Sequence, residues 1–512
     1  MFDRHLAALR WRAFPLGLLL ALVVSPIVRG DEPEDAAVWP GFLGPGGLAV
    51  ASDADGVAPI QFGENDRNVL WKVPSGSGHS SPCIWGDYIY LSSAEEDGRV
   101  LVMTAYHRED GSIAWQRRVD GEAEDGYVHR AARPAQPTPC TDGGRVVFHF
   151  GGYGLIACHA ESGETLWEKR FPFTERSFGT GSSPLLIDDA VLLVKDGGDD
   201  GALWCFDADG GDVRWKAPRP GLRHGYASPF AWRNRERTEV VVPGTNSLRS
   251  YDVEDGRLFW WVDDLCVFPC TTPVGDGERL YFAAWATPNA DSEEQFRANF
   301  WGDLEITEEQ AEDPAWFFEQ FDEDGDGKVA LGELPDSRGR DAFRFVDRDD
   351  DGFWTLEEYK IMAGLSAPGR NLMVAVEAGR DGALSEGEGV LWTVTKALPY
   401  VPSPLLVKGR LYLVKSGGVV TCLDAETGEA IFGPARCGVS GEYYASPVAW
   451  GDRVLLCAHR GMVLVLDGSD ELNVLAVNDF GEEIYATPAI VDGVLYLRSA
   501  EHLWAIGPVR EP

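Results

Sequence analysis

The sequence predicts an all-β chain: an eight-bladed β-propeller closed by strands from both ends of the chain, with a small α-helical insertion. Three observations carry that expectation. A Ser-Pro or Thr-Pro dipeptide opens an apolar strand eight times, a Gly-x-x-x-Trp turn closes many of the same repeats, and an early strand and the last repeat each lack a partner.

The repeat is clearest from Val401 to Phe432. Ser403-Pro404 opens a strand, Lys408-Gly409 turns it, Leu411 to Lys415 returns, and Val419 to Leu423 makes a third strand before the turn Asp424 to Gly428. A fourth, outer strand follows. Alternating burial and Gly or Asp at the turns describe an antiparallel meander with two apolar faces. One such unit cannot bury both faces, so neighbours must stack on it.

The opening dipeptide recurs at Ser81-Pro82, Thr138-Pro139, Ser183-Pro184, Ser228-Pro229, Thr272-Pro273, Ser403-Pro404, Ser446-Pro447 and Thr487-Pro488. Successive prolines are 57, 45, 45, 44, 131, 43 and 41 residues apart, and removing an insertion of about 85 residues from the long gap restores the period. The closing turn pairs Gly111 with Trp115, Gly163 with Trp167, Gly211 with Trp215 and Gly256 with Trp260, while Phe432 replaces Trp in the sixth copy. The last copy, Tyr485 to Gly507, has three strands, and Asn68 to Val73 is the natural fourth. Closing a ring with strands from both termini removes a free sheet edge.

Segment boundaries follow. Residues 1–30 read as a signal peptide, 31–66 as a lead, 67–285 as the first part of the propeller with closing strand 68–73, 286–369 as the insertion, and 370–508 as the rest. Arg4, Arg10 and Arg12 precede an apolar run from Ala13 to Val24, and Val28-Arg29-Gly30 precedes acidic Asp31. That run is short beside the roughly 20 residues of a membrane span, so export with cleavage and no stable membrane insertion is expected. A periplasmic or extracellular location follows.

The 512 residues carry a formal charge of −37, which repels nucleic acid and anionic lipid surfaces. Of nine cysteines, Cys83 and Cys140 occupy a strand position held elsewhere by aliphatic or aromatic residues, and Cys205 and Cys422 lie three blades apart. Only Cys266 and Cys270 are near enough in sequence to suggest a local disulfide.

Leu423-Asp424 with Thr427-Gly428, the run from Leu398 to Ala430 and the final EEIYATPAIVDGVLYLRSAEHLWAIG resemble the PQQ-like β-propeller repeat proteins. His107 and His159 depart from the repeat's aspartate. The resemblance spans roughly Trp39 to Gly507 and implies a propeller. For activity it leaves open a quinoprotein dehydrogenase using pyrroloquinoline quinone (PQQ), an outer-membrane protein assembly component, or an exported binding module. Dehydrogenases of this kind show adjacent cysteines beside the quinone, and many add CxxCH; this sequence has neither, and no HExxH, GxSxG or CxxC.

The insertion falls between the second and third strands of the fifth copy. Asp322 to Glu333 (DEDGDGKVALGE) and Asp347 to Glu358 (DRDDDGFWTLEE) each match the twelve-residue EF-hand loop. Ca²⁺ prefers six to eight hard oxygen ligands, which such loops supply from positions 1, 3, 5, 7 and 12. The expected sets are Asp322, Asp324, Asp326, the Lys328 carbonyl and Glu333, then Asp347, Asp349, Asp351, the Phe353 carbonyl and Glu358. Gly327 and Gly352 stand at position 6, where the turn needs positive φ, and Val329 and Trp354 are placed to pair the loops. Two Ca²⁺ sites are the expected cofactor content.

A ring of blades leaves a channel, and the residue three before each opening proline belongs near one mouth. His79, Gln136, Tyr226, Cys270, Tyr444 and Tyr485 are the candidate ligand or partner pocket. His129, Arg130, Arg133, Arg223 and His224 are placed to reach the same mouth. No residue is singled out as catalytic. The sequence is therefore read as an exported calcium-binding propeller that holds a protein or small-molecule ligand on one face.

Overall fold

The computed structural model describes residues 37–52, 56, 58–63, 68–121, 132, 134–170, 179–196, 201–220, 222, 225–285, 310, 313–335, 340, 343, 347, 351–356, 358–359 and 369–508. The expected signal peptide and His129, Arg130, Arg133, Arg223, His224 and Asp349 fall outside these.

Eight sheets of four or five strands, each built on a four-stranded antiparallel meander, make the propeller, and one two-stranded sheet lies in the insertion. The sixth blade shows how the repeat is laid down: Leu405–Val407, Arg410–Lys415, Val419–Asp424 and Ala430–Arg436 form a meander in sequence order. Its first turn is Lys408-Gly409, both at positive φ (50° and 73°), the two-residue geometry that matches strand twist. Inner strands are almost wholly buried and outer strands half exposed.

The ring closes between the termini. Val69–Pro74 pairs antiparallel with His502–Ile506, placing Trp71 opposite Ala505 and Lys72 opposite Trp504. The eighth blade thus takes its outer strand from the start of the chain.

The repeated Ser/Thr-Pro has a structural role that its periodicity did not reveal. The backbone N–H of each Ser or Thr donates to the side-chain oxygen of the equivalent residue in the next blade: Ser81 to Thr138, Thr138 to Ser183, Ser183 to Ser228, and Ser228 to Thr272. The series continues from Thr272 to Ser403, Ser446, Thr487 and back to Ser81, with all eight bonds between 2.9 and 3.3 Å. All eight side chains are buried. Ser403→Ala removes the acceptor for the Thr272 N–H and should cost about 1–3 kcal/mol, the desolvation cost of an orphaned buried donor. Urea denaturation measures it; Ser403→Thr, which keeps the oxygen, should recover most of the loss.

A second joint uses the Gly and Trp of the closing turn. Trp71, Trp115, Trp167, Trp215 and Trp392 lie over Gly111, Gly163, Gly211, Gly256 and Gly428 of the following blade, so closely that a Cβ on any of these glycines would fall within 2.8 Å of a ring atom. Turn closure survives the two histidine departures, since Gly111 and Gly163 N–H still donate to the carbonyls of His107 and His159 at 2.9 Å.

Three features were not expected. The lead pairs Val38 and Trp39 with the inner strand of blade one, accepts a hydrogen bond at the Pro40 carbonyl from Thr141 of blade two, sets Gly47 against Phe230 of blade four, and bonds Ala49 and Ala51 to Ala449 of blade seven. It therefore crosses the channel. Blade four gains a parallel fifth strand, Gly382–Ala383, on its outer edge at Trp260 and Trp261. Cys266 and Cys270 are both free thiols, and Cys270 donates to the Phe268 carbonyl at 3.6 Å in place of the disulfide that their spacing suggested.

The insertion leaves blade five after Ala284 and returns at Leu372, which are cross-strand partners. Among the described residues its α-helix is Pro314–Phe321, and no helix is long and apolar enough to cross a membrane.

Candidate functional site

The inner strands begin at one mouth of the ring, so a residue a fixed distance ahead of each opening proline meets its seven counterparts there. His79, Gln136, Tyr226, Cys270, Tyr444 and Tyr485 are all half-buried and line one cavity of about 370 Å³. Gly181 and Val401, the same offset in blades three and six, complete the circle. Six of the eight ring hydroxyls, those of Ser81, Thr138, Ser183, Ser228, Ser446 and Thr487, also line the cavity. Phe42, on the lead that crosses the channel, contributes as well. The cavity is a cup at one mouth.

Across blades seven, eight and one the wall is a stack. His79 lies on Tyr485 with ring centres 3.9 Å apart, and Tyr444 lies beside Tyr485 at 5.3 Å. His459 presents an edge to both tyrosines. The Tyr485 hydroxyl donates to Glu483 at 3.0 Å, and the other oxygen of that carboxylate is 3.5 Å from His459 Nε2. Glu442 is the carboxylate in the lining itself, and no Lys or Arg is among the described lining residues. Burial pushes the Tyr400 phenol well above its ordinary value, and Cys270, Tyr444, Cys266 and Glu442 push it the same way. Sequence reasoning missed Tyr400, Glu442, Phe268 and Phe42. Only Gly181 and Val401 were findable, by the offset already in use.

The two acidic loops share one local geometry. In the first, Asp322 accepts from the N–H of Asp326 (3.1 Å) and Gly327 (2.9 Å); in the second, Asp347 accepts from Asp351 (3.2 Å) and Gly352 (3.0 Å). Gly327 and Gly352 have φ of 82° and 85°. The position-12 glutamates also match, Glu333 accepting from Ala330 N–H at 2.6 Å and Glu358 from Thr355 N–H at 2.7 Å. Val329 pairs with Trp354. Asp322, Asp324 and Glu333 bring carboxylate oxygens within 4.8 Å of one another, and Lys328 Nζ sits 2.8 Å from Asp351. Asp326 accepts from Lys328 N–H, and Asp351 from the N–H of Phe353. Burial raises the Asp347 carboxyl above the usual range, and Glu358 and Asp351 add repulsion. This all-oxygen donor set fits a hard divalent cation.

With that geometry in view, comparison with known proteins is informative about fold. A family model described as outer membrane protein assembly factor BamB matches residues 33–194 and 154–283. The chain resembles the PQQ-like repeat propellers. An outer membrane protein assembly factor BamB of Burkholderia pseudomallei (strain K96243) is 27% identical over 212 residues, 39% of this chain and 49% of that protein. The chain thus matches about half the length of this relative. Among solved structures, BamB from Moraxella catarrhalis aligns with a TM-score of 0.51 at 12% identity, covering 86% of this chain and 99% of that one. Quinohemoprotein alcohol dehydrogenase from Comamonas testosteroni aligns with a TM-score of 0.54 at 11% identity, covering 93% and 82%. At such identities the likeness is one of fold.

Proposed function

We propose that this chain is an exported, non-catalytic binding propeller that receives a ligand or partner in the cup and carries two Ca²⁺ in its inserted EF-hand pair. The observation that supports the first part most is the convergence of all eight repeat positions on one cavity, with aromatic, amide and hydroxyl groups facing it. Its volume lies within the roughly 300–1,000 Å³ of small-molecule pockets. The described lining does not suit PQQ, a polycarboxylate: it offers Glu442, no Lys or Arg, and the single cysteine Cys270. Incubation with PQQ and Ca²⁺ should leave no retained quinone absorbance and no dye reduction. Retention with reduction would overturn the non-catalytic reading.

For calcium, the support is the repetition of the same hydrogen bonds in both loops. Asp322, Asp324, Asp326 and Glu333, with the Lys328 carbonyl, would hold one ion; Asp347, Asp349, Asp351 and Glu358, with the Phe353 carbonyl, would hold the other. The ions would relieve carboxylate repulsion and order the insertion. Calorimetry should give two Ca²⁺ per chain, falling to one in Glu333→Gln. Absence of heat at millimolar Ca²⁺ would sink this part.

A second reading, a component of outer-membrane protein assembly, is favoured by the family match over the first half of the chain. Recovery of a β-barrel assembly complex with the tagged chain would select it.

A further inference from the structure

We propose that the cup takes an organic cation, an ammonium head on an apolar body; this rests on the reading of the cup as a binding site. Composition argues first. Among the described lining residues six are aromatic, Phe42, Tyr226, Phe268, Tyr400, Tyr444 and Tyr485, and the charged side chain beside them is the Glu442 carboxylate. Aromatic walls with a nearby carboxylate suit ammonium groups, which gain from ring quadrupoles and a counter-charge while shedding water from their carbon substituents. Neither Lys nor Arg among the described lining residues competes for that carboxylate.

Polarity at the wall points the same way. Tyr485 donates its hydroxyl hydrogen to Glu483. Donation to a carboxylate polarises the phenol and leaves it richer in negative charge. The whole protein, at −37, draws cations toward its surface and repels anions. The ring hydroxyls of the lining both donate and accept, so they fit either sign and do not decide the matter.

The test is calorimetric titration of the full, Ca²⁺-loaded chain with choline chloride, and separately with its neutral carbon isostere, in which a quaternary carbon replaces the nitrogen. Saturable choline binding, at least tenfold weaker for the isostere, is expected. Glu442 is exposed, so Glu442→Gln leaves the fold intact and should weaken choline about tenfold while leaving the isostere unchanged. A short peptide bearing trimethyllysine, titrated in parallel, separates sources: tighter binding than choline assigns the cation to a partner's side chain, and weaker binding assigns it to a free amine. Equal affinity for choline and isostere, or indifference to Glu442→Gln, overturns the proposal. No choline binding, with PQQ still giving no dye reduction, overturns the cation alone; dye reduction instead removes the binding-module reading beneath it.

Discussion

Trp167→Ala is expected to lower the free energy of unfolding by about 3–5 kcal/mol, the range for deleting a large buried aromatic side chain. The indole is buried, lies over Gly211 of the next blade, and donates its Nε1–H to the Ala208 carbonyl at 2.8 Å. Truncation therefore opens a cavity between blades two and three and orphans a buried carbonyl. Trp167→Phe separates the contributions: it keeps most of the packing and loses only the donor, for about 1 kcal/mol. Gly211→Ala approaches the same joint from the other side. Its φ of 71° is a left-handed conformation, and its Cβ would sit 2.6 Å from the Trp167 ring. Urea midpoints of the three variants measure the effects. A loss below about 1 kcal/mol in Trp167→Ala would mean that blades relax around the gap, contrary to an interlocked ring.

This joint explains why the architecture could be read from the chain. The residues that recur are the ones that fasten blade to blade: Ser/Thr hydroxyls accept the next peptide N–H, and glycines leave room for the neighbouring indole. A requirement repeated eight times leaves eight traces in the sequence. The cup's outer ring was legible for the same reason, because His79, Gln136, Tyr226, Cys270, Tyr444 and Tyr485 share one offset. Contacts made once leave no period. Arg498 is 1% exposed and holds the carbonyls of Ser80 (3.0 Å), Ser92 (2.9 Å) and Gly76 (3.2 Å), binding blade eight to blade one and to the end of the closing strand. Burial pulls its pKa down to about 10. In the sequence it is only the last residue of a strand. The lead is equally opaque, since Trp39, Gly47 and Ala51 each meet a different blade and no spacing rule links them. Glu442 and Tyr400 reach the cup from blade connections outside the repeated offset.

Acid should destabilise the propeller through His149. This side chain ends within blade two with no solvent exposure, and its Nδ1–H donates to the Ser182 carbonyl of blade three at 3.0 Å. Burial lowers its pKa from 6.5 to about 4, against the smaller opposing pull of the Ser182 carbonyl. Between those values the unfolded chain binds the proton and the folded chain does not, so stability falls as pH drops through 6.5 and the loss is complete near 4. At 1.36 kcal/mol per pKa unit this amounts to about 3 kcal/mol. His149→Gln keeps a donor for Ser182 and does not titrate. Its unfolding free energy should therefore fall less steeply than the parent's over that window, while the carboxylates, common to both proteins, contribute equally. The contrast is read from urea denaturation of both at pH values spanning the window. Parallel curves would show that His149 takes its proton at Nε2 inside the fold without the cost that burial imposes on the charged ring.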